Sequence, residues 1–376
     1  MPPSPDEVLF VISNLGDYHA ARLCHLTKAL ASENKRLRIL ELSPRSTFYS
    51  HHQPRNISLR AHLDVTQAYG TTVKTLSAVV RFIFFSKARY VIQIGYSDKF
   101  AVIGLLLARL FGKKVLFLAD SKADDAPRVG WKELLKKALL PLFDGALVAG
   151  ERHKRYFSSL GVPADRISTG YDVVDNEFFA SQAVRYRRKA KLIRRLGLIP
   201  DRYVLVVSRL VPRKRVDLAL ELYARSGIAE RGISLVIIGK GPAQPEIVAR
   251  IEQAGLRDRV RMVPCVANTA IALYYTFAEA LILASEYDQW GLSVNEAMAV
   301  GTPAFVTERC GSAGEIVEHK VDGFIWTKEA LEDAALALAE LVASPGLRQQ
   351  WSQACKEKMA KWNLDRFSRG LITLMH

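Results

Sequence analysis

Cysteine is scarce in this sequence, with four residues among 376, and no two of them have the CxxC spacing that is typical of zinc sites or redox motifs. Neither a zinc site nor a disulfide framework is indicated, so a reducing cytoplasm is the expected compartment. Long apolar runs are also lacking. The longest, at 100–111, contains Arg109 and is shorter than the ~20 residues that a membrane-spanning helix needs. The opening MPPSPDEVLF does not have the layout of a signal peptide, and a soluble or peripheral protein is expected.

Acidic residues are outnumbered by basic ones, with 38 aspartate and glutamate against 53 lysine and arginine, a net charge of +15. This excess favours nucleic acid, an anionic membrane surface or a phosphorylated ligand as partner, and charge alone does not select among them. The composition is otherwise that of a globular protein, 49% hydrophobic and 24% charged, which excludes a disordered or collagen-like chain. The length predicts two or three domains.

Short apolar, β-branched runs alternate with helical patterns along the first half of the chain. Continuous apolarity is typical of parallel strands that are covered on both faces. Such strands are predicted at 8–13, 37–42, Tyr90–Ile94, 115–119 and Gly145–Val148. The helical patterns lie at 20–31, 100–111 and 131–142. This alternation predicts a doubly wound α/β domain with right-handed crossovers.

The same alternation begins again after a strongly basic stretch, in which seven of the eleven residues at 185–195 are Lys or Arg. A fresh buried strand follows at Tyr203–Val207, so a boundary is expected near 180–200. We therefore predict a first domain at 1–185 and a second at 196–361. The last segment, 362–376, predicts a helix that either packs back on the first domain or completes the second core.

Two facing α/β domains bring the carboxyl ends of their strands to one interdomain cleft, so the loops that follow strands are candidate binding loops. The first such loop contains Gly16, which lets the backbone approach a ligand or simply makes a tight turn. The second contains Arg209 and Lys214, which either converge on a phosphate or form a solvated basic turn. The third contains Gly239 and Gly241, which permit close backbone approach or a plain strand-to-helix connection.

The most specific pattern is EYDQWGLSVNEAMA at 286–299, which passes through a glycine into a helix. Asp288 lies before this helix and Glu296 about a turn inside it, where carboxylates can accept hydrogen bonds from sugar or ribose hydroxyls. The N–H groups around 291–293, which include those of Gly291 and Leu292, can face a phosphate. A helix cap with a buried, hydrogen-bonded Glu296 is the alternative.

Taken together, these loops resemble the signature of the retaining glycosyltransferases of family 4, in the glycosyl transferases group 1 and the GT-B class. The matching phrases span about 200 to 326 and are Ser208-Arg209-Leu210-Val211-Pro212, Gly239-Lys240-Gly241-Pro242, Trp290-Gly291-Leu292, Asn295-Glu296-Ala297-Met298-Ala299, Gly301-Thr302-Pro303, Gly314-Glu315-Ile316-Val317 and Asp322-Gly323-Phe324. The resemblance implies two facing Rossmann-like domains, with the donor in the second and the acceptor in the first. It also implies sugar transfer from a nucleotide-sugar donor to an acceptor hydroxyl, in cell-envelope polysaccharide or glycolipid synthesis.

The resemblance implies roles for the residues that match the family's motifs. Arg209 and Lys214 match the pair that neutralises the donor diphosphate, and Glu296 matches the acid that binds the ribose. Asp288 stands where the family usually has Glu against the transferred sugar, and its side chain is one methylene group shorter. The loop residues Gly239, Gly241, Gly291 and Leu292 match positions that line the donor site.

Two further candidates lie in the first domain. Gly16 matches the loop that faces the phosphates, where the family more often has two glycines. Asp120 follows the predicted strand at 115–119, where many members have a His near the reacting sugar. Asp120 is therefore a catalytic candidate beside Asp288, Arg209 and Lys214, with helix capping or a salt bridge as its alternative role.

Breaking a sugar–phosphate bond leaves negative charge on the diphosphate, which fixed cations and helix N-termini stabilise without a metal. No Asp-x-Asp pair follows a predicted strand, so neither a metal nor another cofactor is expected. The expected partners are a UDP- or GDP-linked sugar and a sugar or lipid-linked acceptor. Nucleic acid is not expected, because no aromatic-rich recognition motif is present. A non-catalytic nucleotide-sugar-binding protein on the same scaffold is the alternative function.

The basic excess has a candidate location in the helix predicted at 131–142, where Lys132, Lys136 and Lys137 alternate with Trp131 and leucines. This helix either lies on an anionic membrane that carries a lipid-linked acceptor or is an ordinary solvated helix that covers the sheet. The protein is expected in the cytoplasm, and in the first case on the inner face of the membrane.

Overall fold

The computed structural model describes residues 5–43, 54–96, 98–125 and 129–376, which form two compact units. The first unit comprises the described residues of Met1–Ala123, Pro127–Val174 and Asn363–His376, and the second those of Asp124–Ala126 and Asp175–Trp362. Within the described part of the chain, no helix has the length and apolarity that crossing a lipid bilayer requires.

Strands and helices alternate in the first part of the chain. They are β1 (Asp6–Ile12), α1 (Asp17–Ala31), β2 (Lys35–Glu41), α2 (Pro54–Arg60), β3 (Val65–Gln67), α3 (Thr72–Phe84), β4 (Tyr90–Ile94), α4 (Lys99–Leu110), β5 (Lys114–Ala119), α5 (Gly130–Leu139), β6 (Gly145–Val148), α6 (Glu151–Ser159) and β7 (Ile167–Thr169). The strands predicted from apolar runs are all present, with small differences at their ends. Strands β3 and β7 have three residues each, too few to show a periodic pattern.

The second part of the chain continues the alternation and ends in three helices. Its elements are α7 (Asn176–Arg188), α8 (Ala190–Arg195), β8 (Tyr203–Val207), α9 (Val216–Arg225), β9 (Ser234–Ile238), α10 (Gln244–Gln253), β10 (Val260–Val263), α11 (Asn268–Phe277), β11 (Leu281–Leu283), α12 (Leu292–Ala299), β12 (Ala304–Thr307), β13 (Gly323–Trp326), α13 (Leu331–Ala343), α14 (Pro345–Lys361) and α15 (Leu364–Met375).

The first unit contains a seven-stranded parallel sheet in the order β3-β2-β1-β4-β5-β6-β7. Helix α1 packs against α2 and α15, and α3 packs against α4, so helices cover both faces of the sheet. The core between sheet and helices is apolar and includes the fully buried Leu9, Val91, Phe117 and Ala146. Burial on both faces explains why these strands read as continuous apolar runs.

The second unit contains a six-stranded parallel sheet in the order β10-β9-β8-β11-β12-β13. Its core includes Val204, Leu235, Ile282 and Phe305, all fully buried. In both sheets the strand order reverses beside the first strand, between β1 and β4 and between β8 and β11. The prediction of two Rossmann-like α/β domains is confirmed, and the loops at these reversal points are where ligands bind in such folds.

The division into units differs from the boundary that the basic stretch indicates. Helix α7 belongs to the second unit, because it packs against α11 and α12 and because Arg187 donates a hydrogen bond to the Val300 carbonyl (2.9 Å). The stretch at 185–195 is helical in α7 and α8 rather than a separating linker. Helix α15 packs on α1, β6 and β7 of the first unit, where the Tyr90 hydroxyl donates to the Met375 carbonyl.

Candidate active site

The loops that follow β8 and β11 meet at the reversal point of the second sheet. The Glu286 amide donates to the Arg213 carbonyl (2.9 Å), and Arg213 Nη1 donates to the Tyr287 carbonyl (3.4 Å). The Arg213 guanidinium also lies over the Tyr287 ring, 5.6 Å from its centroid. Backbone and side-chain contacts thus join two loops that are far apart in the sequence, at the carboxyl ends of β8 and β11.

Lys214 and Asp288 form an ion pair where these loops meet. Their side chains are 11% and 8% exposed, and Ser285 Oγ donates a second hydrogen bond to the Asp288 carboxylate (3.4 Å). A charged pair so shielded from water interacts more strongly than the same pair on a surface. The structure therefore brings together two of the residues that the sequence singled out, one from each loop.

Arg209 lies half-buried in the loop that follows β8. Two glycines in the loop that follows β9 pack against the backbone on either side of it. A Cβ at Gly239 would lie 1.9 Å from the Ser208 carbonyl oxygen, and one at Gly241 would lie 2.3 Å from the Leu210 carbonyl oxygen. The Leu210 amide donates to the Lys240 carbonyl across the same contact (3.1 Å). Close backbone packing thus requires both glycines, and their contact with a donor stays a prediction.

The β11 loop also packs tightly against the loop that follows β12. The Asp288 amide donates to the Arg309 carbonyl (3.3 Å), and the Gly311 amide donates to the Asp288 carbonyl (3.1 Å). A Cβ at Gly311 would lie 1.7 Å from the Gln289 carbonyl oxygen, a distance that real atoms do not adopt. Asp288 is therefore held from both sides, by the β8 loop and by the β12 loop.

Replacing Gly311 with alanine is expected to lower the free energy of unfolding by ~3 kcal/mol, because the added methyl group forces the two loops apart. Chemical denaturation with the change in tryptophan fluorescence measures this. The control is Gly346→Ala in α14, where no heavy atom lies within 4 Å of the new Cβ and alanine favours the helix by ~0.5–1 kcal/mol. Equal destabilisation of the two variants would contradict this account of Gly311.

Gly291 and Leu292 form the start of helix α12, directly after the Asp288 loop. Gly291 has φ 95°, a left-handed conformation that favours glycine, and a Cβ there would lie 2.6 Å from Leu283 Cδ2. The first N–H groups of a helix have no acceptor within the helix and attract anions. The prediction that these groups face a phosphate is compatible with this position and stays a prediction.

Glu296 lies inside α12 and is 2% exposed. Its carboxylate accepts a hydrogen bond from the Tyr275 hydroxyl of α11 (2.6 Å). The neighbouring Asn295 accepts a hydrogen bond from Trp290 Nε1 (2.7 Å), which anchors the loop before the helix. Glu296 is thus buried and hydrogen-bonded, as its alternative role predicts. Sequence reasoning missed Tyr275, because no motif links position 275 to position 296.

Gly16 lies in the first unit, at the N-terminus of α1. Its φ of −75° is open to any residue, and the nearest atom to a built Cβ is Asn14 Oδ1 at 3.9 Å, so neither the backbone nor packing requires glycine. The adjoining Leu15 amide donates to Glu41 Oε1 (2.7 Å), and Arg60 binds the same carboxylate. Glu41, which the sequence analysis did not single out, therefore positions this loop.

Asp120 directly follows β5 in the first unit and is half-buried. Burial raises the pKa of the nearby Tyr171, and the charges of Asp172 and Asp120 add to that increase. His19 stacks on the Tyr171 ring, with 6.3 Å between centroids. Burial, together with the Arg22 charge, lowers the pKa of His19 to about 3, so its imidazole is neutral near pH 7.

Comparison with known proteins follows the same division of the chain. Residues 190–358 match the family model of glycosyl transferases group 1. Alpha-D-kanosaminyltransferase of Streptomyces kanamyceticus is 28% identical over 204 residues, which are 54% of this chain and 52% of that protein. The GDP-mannose-dependent alpha-(1-6)-phosphatidylinositol monomannoside mannosyltransferase of Mycobacterium tuberculosis is 26% identical over 261 residues, 66% of each chain. The chain spans about half the length of several curated relatives that it matches.

Among solved structures, Anabaena HepE in complex with UDP and glucose superimposes with a TM-score of 0.74 at 15% identity, covering 97% of this chain and 98% of that one. This likeness shows the fold, and the class is GT-B, with two Rossmann-like domains. Residues 190–358, within the second unit, are similar to the glycosyl transferases group 1 family, as the motifs of the β8, β9 and β11 loops predict.

Proposed function

We propose that this protein is a retaining, metal-independent glycosyltransferase of family 4, which moves a sugar from a UDP- or GDP-linked donor to an acceptor hydroxyl. The observation that carries the proposal is the meeting of Lys214 and Asp288 at the reversal point of the second sheet. A cation, a carboxylate and the α12 N-terminus at one strand-end site suit a ligand that combines a diphosphate with sugar hydroxyls.

In the proposed reaction, the Lys214 ammonium and the Arg209 guanidinium bind the diphosphate of the donor. Lys214 leaves its ion pair with Asp288 when the donor binds, so its charge already faces the diphosphate when the sugar–phosphate bond breaks. The leaving diphosphate takes the bonding electrons of the sugar–phosphate bond, and the acceptor hydroxyl oxygen bonds to the anomeric carbon on the same face. The proton of that hydroxyl passes to the departing phosphate oxygen. Asp288, once Lys214 has turned to the diphosphate, accepts a hydrogen bond from a sugar hydroxyl.

The acceptor class that we propose is a cell-envelope polysaccharide or a glycolipid. Its support is the mannosyltransferase relative, whose name specifies a phosphatidylinositol monomannoside. Gly16 and Asp120, at the carboxyl ends of β1 and β5, are the proposed first-unit residues near the reacting groups. Gly16 supports this role because the fold itself does not require a glycine there.

A thermal-shift screen against UDP-, GDP- and ADP-linked sugars tests the proposal, because a ligand that binds only the folded state raises its stability by ~2.7 kcal/mol at a concentration of about 100 times Kd. We expect stabilisation by UDP or GDP sugars, followed by release of the nucleotide when acceptor is added. Binding without release under any acceptor would favour the non-catalytic nucleotide-sugar-binding protein. No stabilisation by any nucleotide sugar would exclude both functions.

A further inference from the structure

Helix α5 of the first unit has its apolar side facing outward. Trp131, Leu134 and Leu135 are 60%, 68% and 59% exposed, and no residue of α5 is buried. An amphipathic helix that covers a sheet buries its leucines. Trp131, Leu134 and Leu135 therefore do not pack against the sheet, whereas Leu139 at the end of the helix does contact the core.

The inward side of α5 contacts the rest of the unit through polar side chains, in addition to Leu139, which packs against the core. Lys136 Nζ donates to Glu133 Oε1 (2.7 Å) and to the Tyr156 hydroxyl of α6 (2.9 Å), and the same hydroxyl donates to Glu133 Oε2 (3.0 Å). These three side chains hold the orientation of the helix. The outward direction of Trp131 and the leucines is thus set by a hydrogen-bonded contact on the opposite side.

A second apolar cluster lies at the ends of α3 and α4. Phe84 and Phe85 are 52% and 74% exposed, and Leu110 and Phe111 are 76% and 39% exposed. The Phe84 ring contacts those of Phe85 and Phe111, with centroids 4.9 and 5.0 Å apart. Helices α3, α4 and α5 connect β3 to β4, β4 to β5 and β5 to β6, and each connection moves across the sheet toward β7. Because such crossovers are right-handed, the three helices lie on the same face of the sheet. We call their exposed side the α3–α5 face.

The charges on the α3–α5 face are mostly positive. Its exposed basic residues are Arg81, Lys87, Arg89, Lys114, Lys132 and Lys137. Two acidic side chains nearby have basic partners in the first unit, since Glu133 pairs with Lys136 and Asp144 pairs with Arg109. Single exposed hydrophobic residues occur on any protein surface, but grouped ones surrounded by lysine and arginine indicate an interaction surface.

We infer that the α3–α5 face docks on an anionic lipid bilayer. Trp131 and the leucines enter the region between headgroups and acyl chains, and the lysines contact the headgroup charges. A second copy of the chain is a poorer occupant, because two such faces would bring like charges together, and nucleic acid offers no apolar surface for the leucines. Docking itself does not depend on sugar transfer; only the consequence that the acceptor is lipid-linked rests on the proposed function.

Tryptophan fluorescence tests docking directly, because of the five tryptophans only Trp131 is exposed. The buried ones are Trp290, Trp326, Trp351 and Trp362, at 2%, 2%, 4% and 7% exposed. Vesicles of phosphatidylglycerol and phosphatidylcholine are expected to shift the emission to shorter wavelength, and vesicles of phosphatidylcholine alone to have a much smaller effect. The shift should disappear in Trp131→Phe, which still floats with the vesicles because phenylalanine keeps the apolar contact.

Flotation of surface variants with vesicles identifies which residues bind the bilayer. The triple change Trp131→Ser, Leu134→Ser, Leu135→Ser is expected to weaken binding at least tenfold, and Lys132→Glu with Lys137→Glu to weaken it about tenfold on anionic vesicles only. The control is Leu336→Ser, which removes a leucine 70% exposed on α13 of the second unit and should bind as the unchanged protein does. Lys214→Met should also bind normally, which separates this result from failure of the proposed sugar transfer.

Three results with vesicles would overturn the inference: no binding to anionic vesicles, equal binding to neutral and anionic vesicles, or unchanged binding by the triple variant. Sedimentation without vesicles provides the remaining test. A dimer that the triple variant abolishes would assign the α3–α5 face to a second copy of the chain instead.

Discussion

Replacing Lys214 with methionine is expected to lower kcat for sugar transfer by ~10²–10³-fold, because the variant loses the charge that faces the leaving diphosphate in the proposed reaction. Methionine keeps the length and most of the volume of the lysine stem. The change also leaves the shielded Asp288 carboxylate without its cation, which costs about 1–3 kcal/mol of stability. That loss is smaller than the ~5–15 kcal/mol by which domains are usually stable, so the variant should fold.

A double variant separates the loss of charge from the loss of stability. Lys214→Met combined with Asp288→Asn removes both members of the ion pair, so stability is expected to recover while kcat stays low. The matched control is Lys328→Met, an exposed lysine of the same unit, with activity unchanged. Initial rates of nucleotide release and denaturation curves for the three variants provide the measurements. Wild-type kcat in Lys214→Met would remove this lysine from the mechanism.

Glu296 is expected to give the second large effect, and two substitutions distinguish its roles. Glu296→Ala deletes a buried side chain and removes the acceptor of the Tyr275 hydroxyl, so the free energy of unfolding should fall by ~2–4 kcal/mol. Glu296→Gln keeps an oxygen for Tyr275 and should be much closer to the unchanged protein in stability. If Glu296 binds the donor ribose as the family motif implies, the loss of its charge is expected to weaken that hydrogen bond and raise the Kd about tenfold or more.

Tyr275→Phe is the matched control, since it removes the hydroxyl that Glu296 accepts from and leaves the carboxylate charged. It should cost about 1 kcal/mol of stability with a smaller change in donor Kd than Glu296→Gln. Calorimetric titration with the nucleotide sugar found in the thermal-shift screen measures both. If Glu296→Gln binds the donor as tightly as the unchanged protein, the role of this residue is structural and the ribose contact is wrong.

The elements with long, continuous apolar patterns could be predicted well from the sequence. Strands β4, β6 and β8 have the predicted bounds, Tyr90–Ile94, Gly145–Val148 and Tyr203–Val207. In a strand that is covered on both faces, every residue is buried and apolar, so a short stretch of sequence is sufficient to predict it. Strands β3 and β7 are not predicted, because an edge strand of three residues is too short to show a continuous apolar run.

The partners within the site could not be predicted in the same way. Lys214 and Asp288 are 74 residues apart, and motif matching assigned them to two different parts of the donor, not to each other. Neither Tyr275, which donates to Glu296, nor Gly311, which packs against the Gln289 carbonyl, lies in a motif that the sequence analysis identified. Such contacts depend on which loops the strand order brings side by side, and only the order β9-β8-β11-β12 establishes that.

Two features show where local information ends. The sequence by itself determined the alternation of strands and helices and the residue types of the strand-end loops, because periodicity and loop chemistry are properties of neighbouring residues. Helix α5 was recognisable as amphipathic, but its neighbours decided which side faces solvent, since Tyr156 on α6 binds the polar side. In the same way, strand order decided that a lysine after β8 and an aspartate after β11 neutralise each other, because parallel strands set side by side carry their loops to one edge.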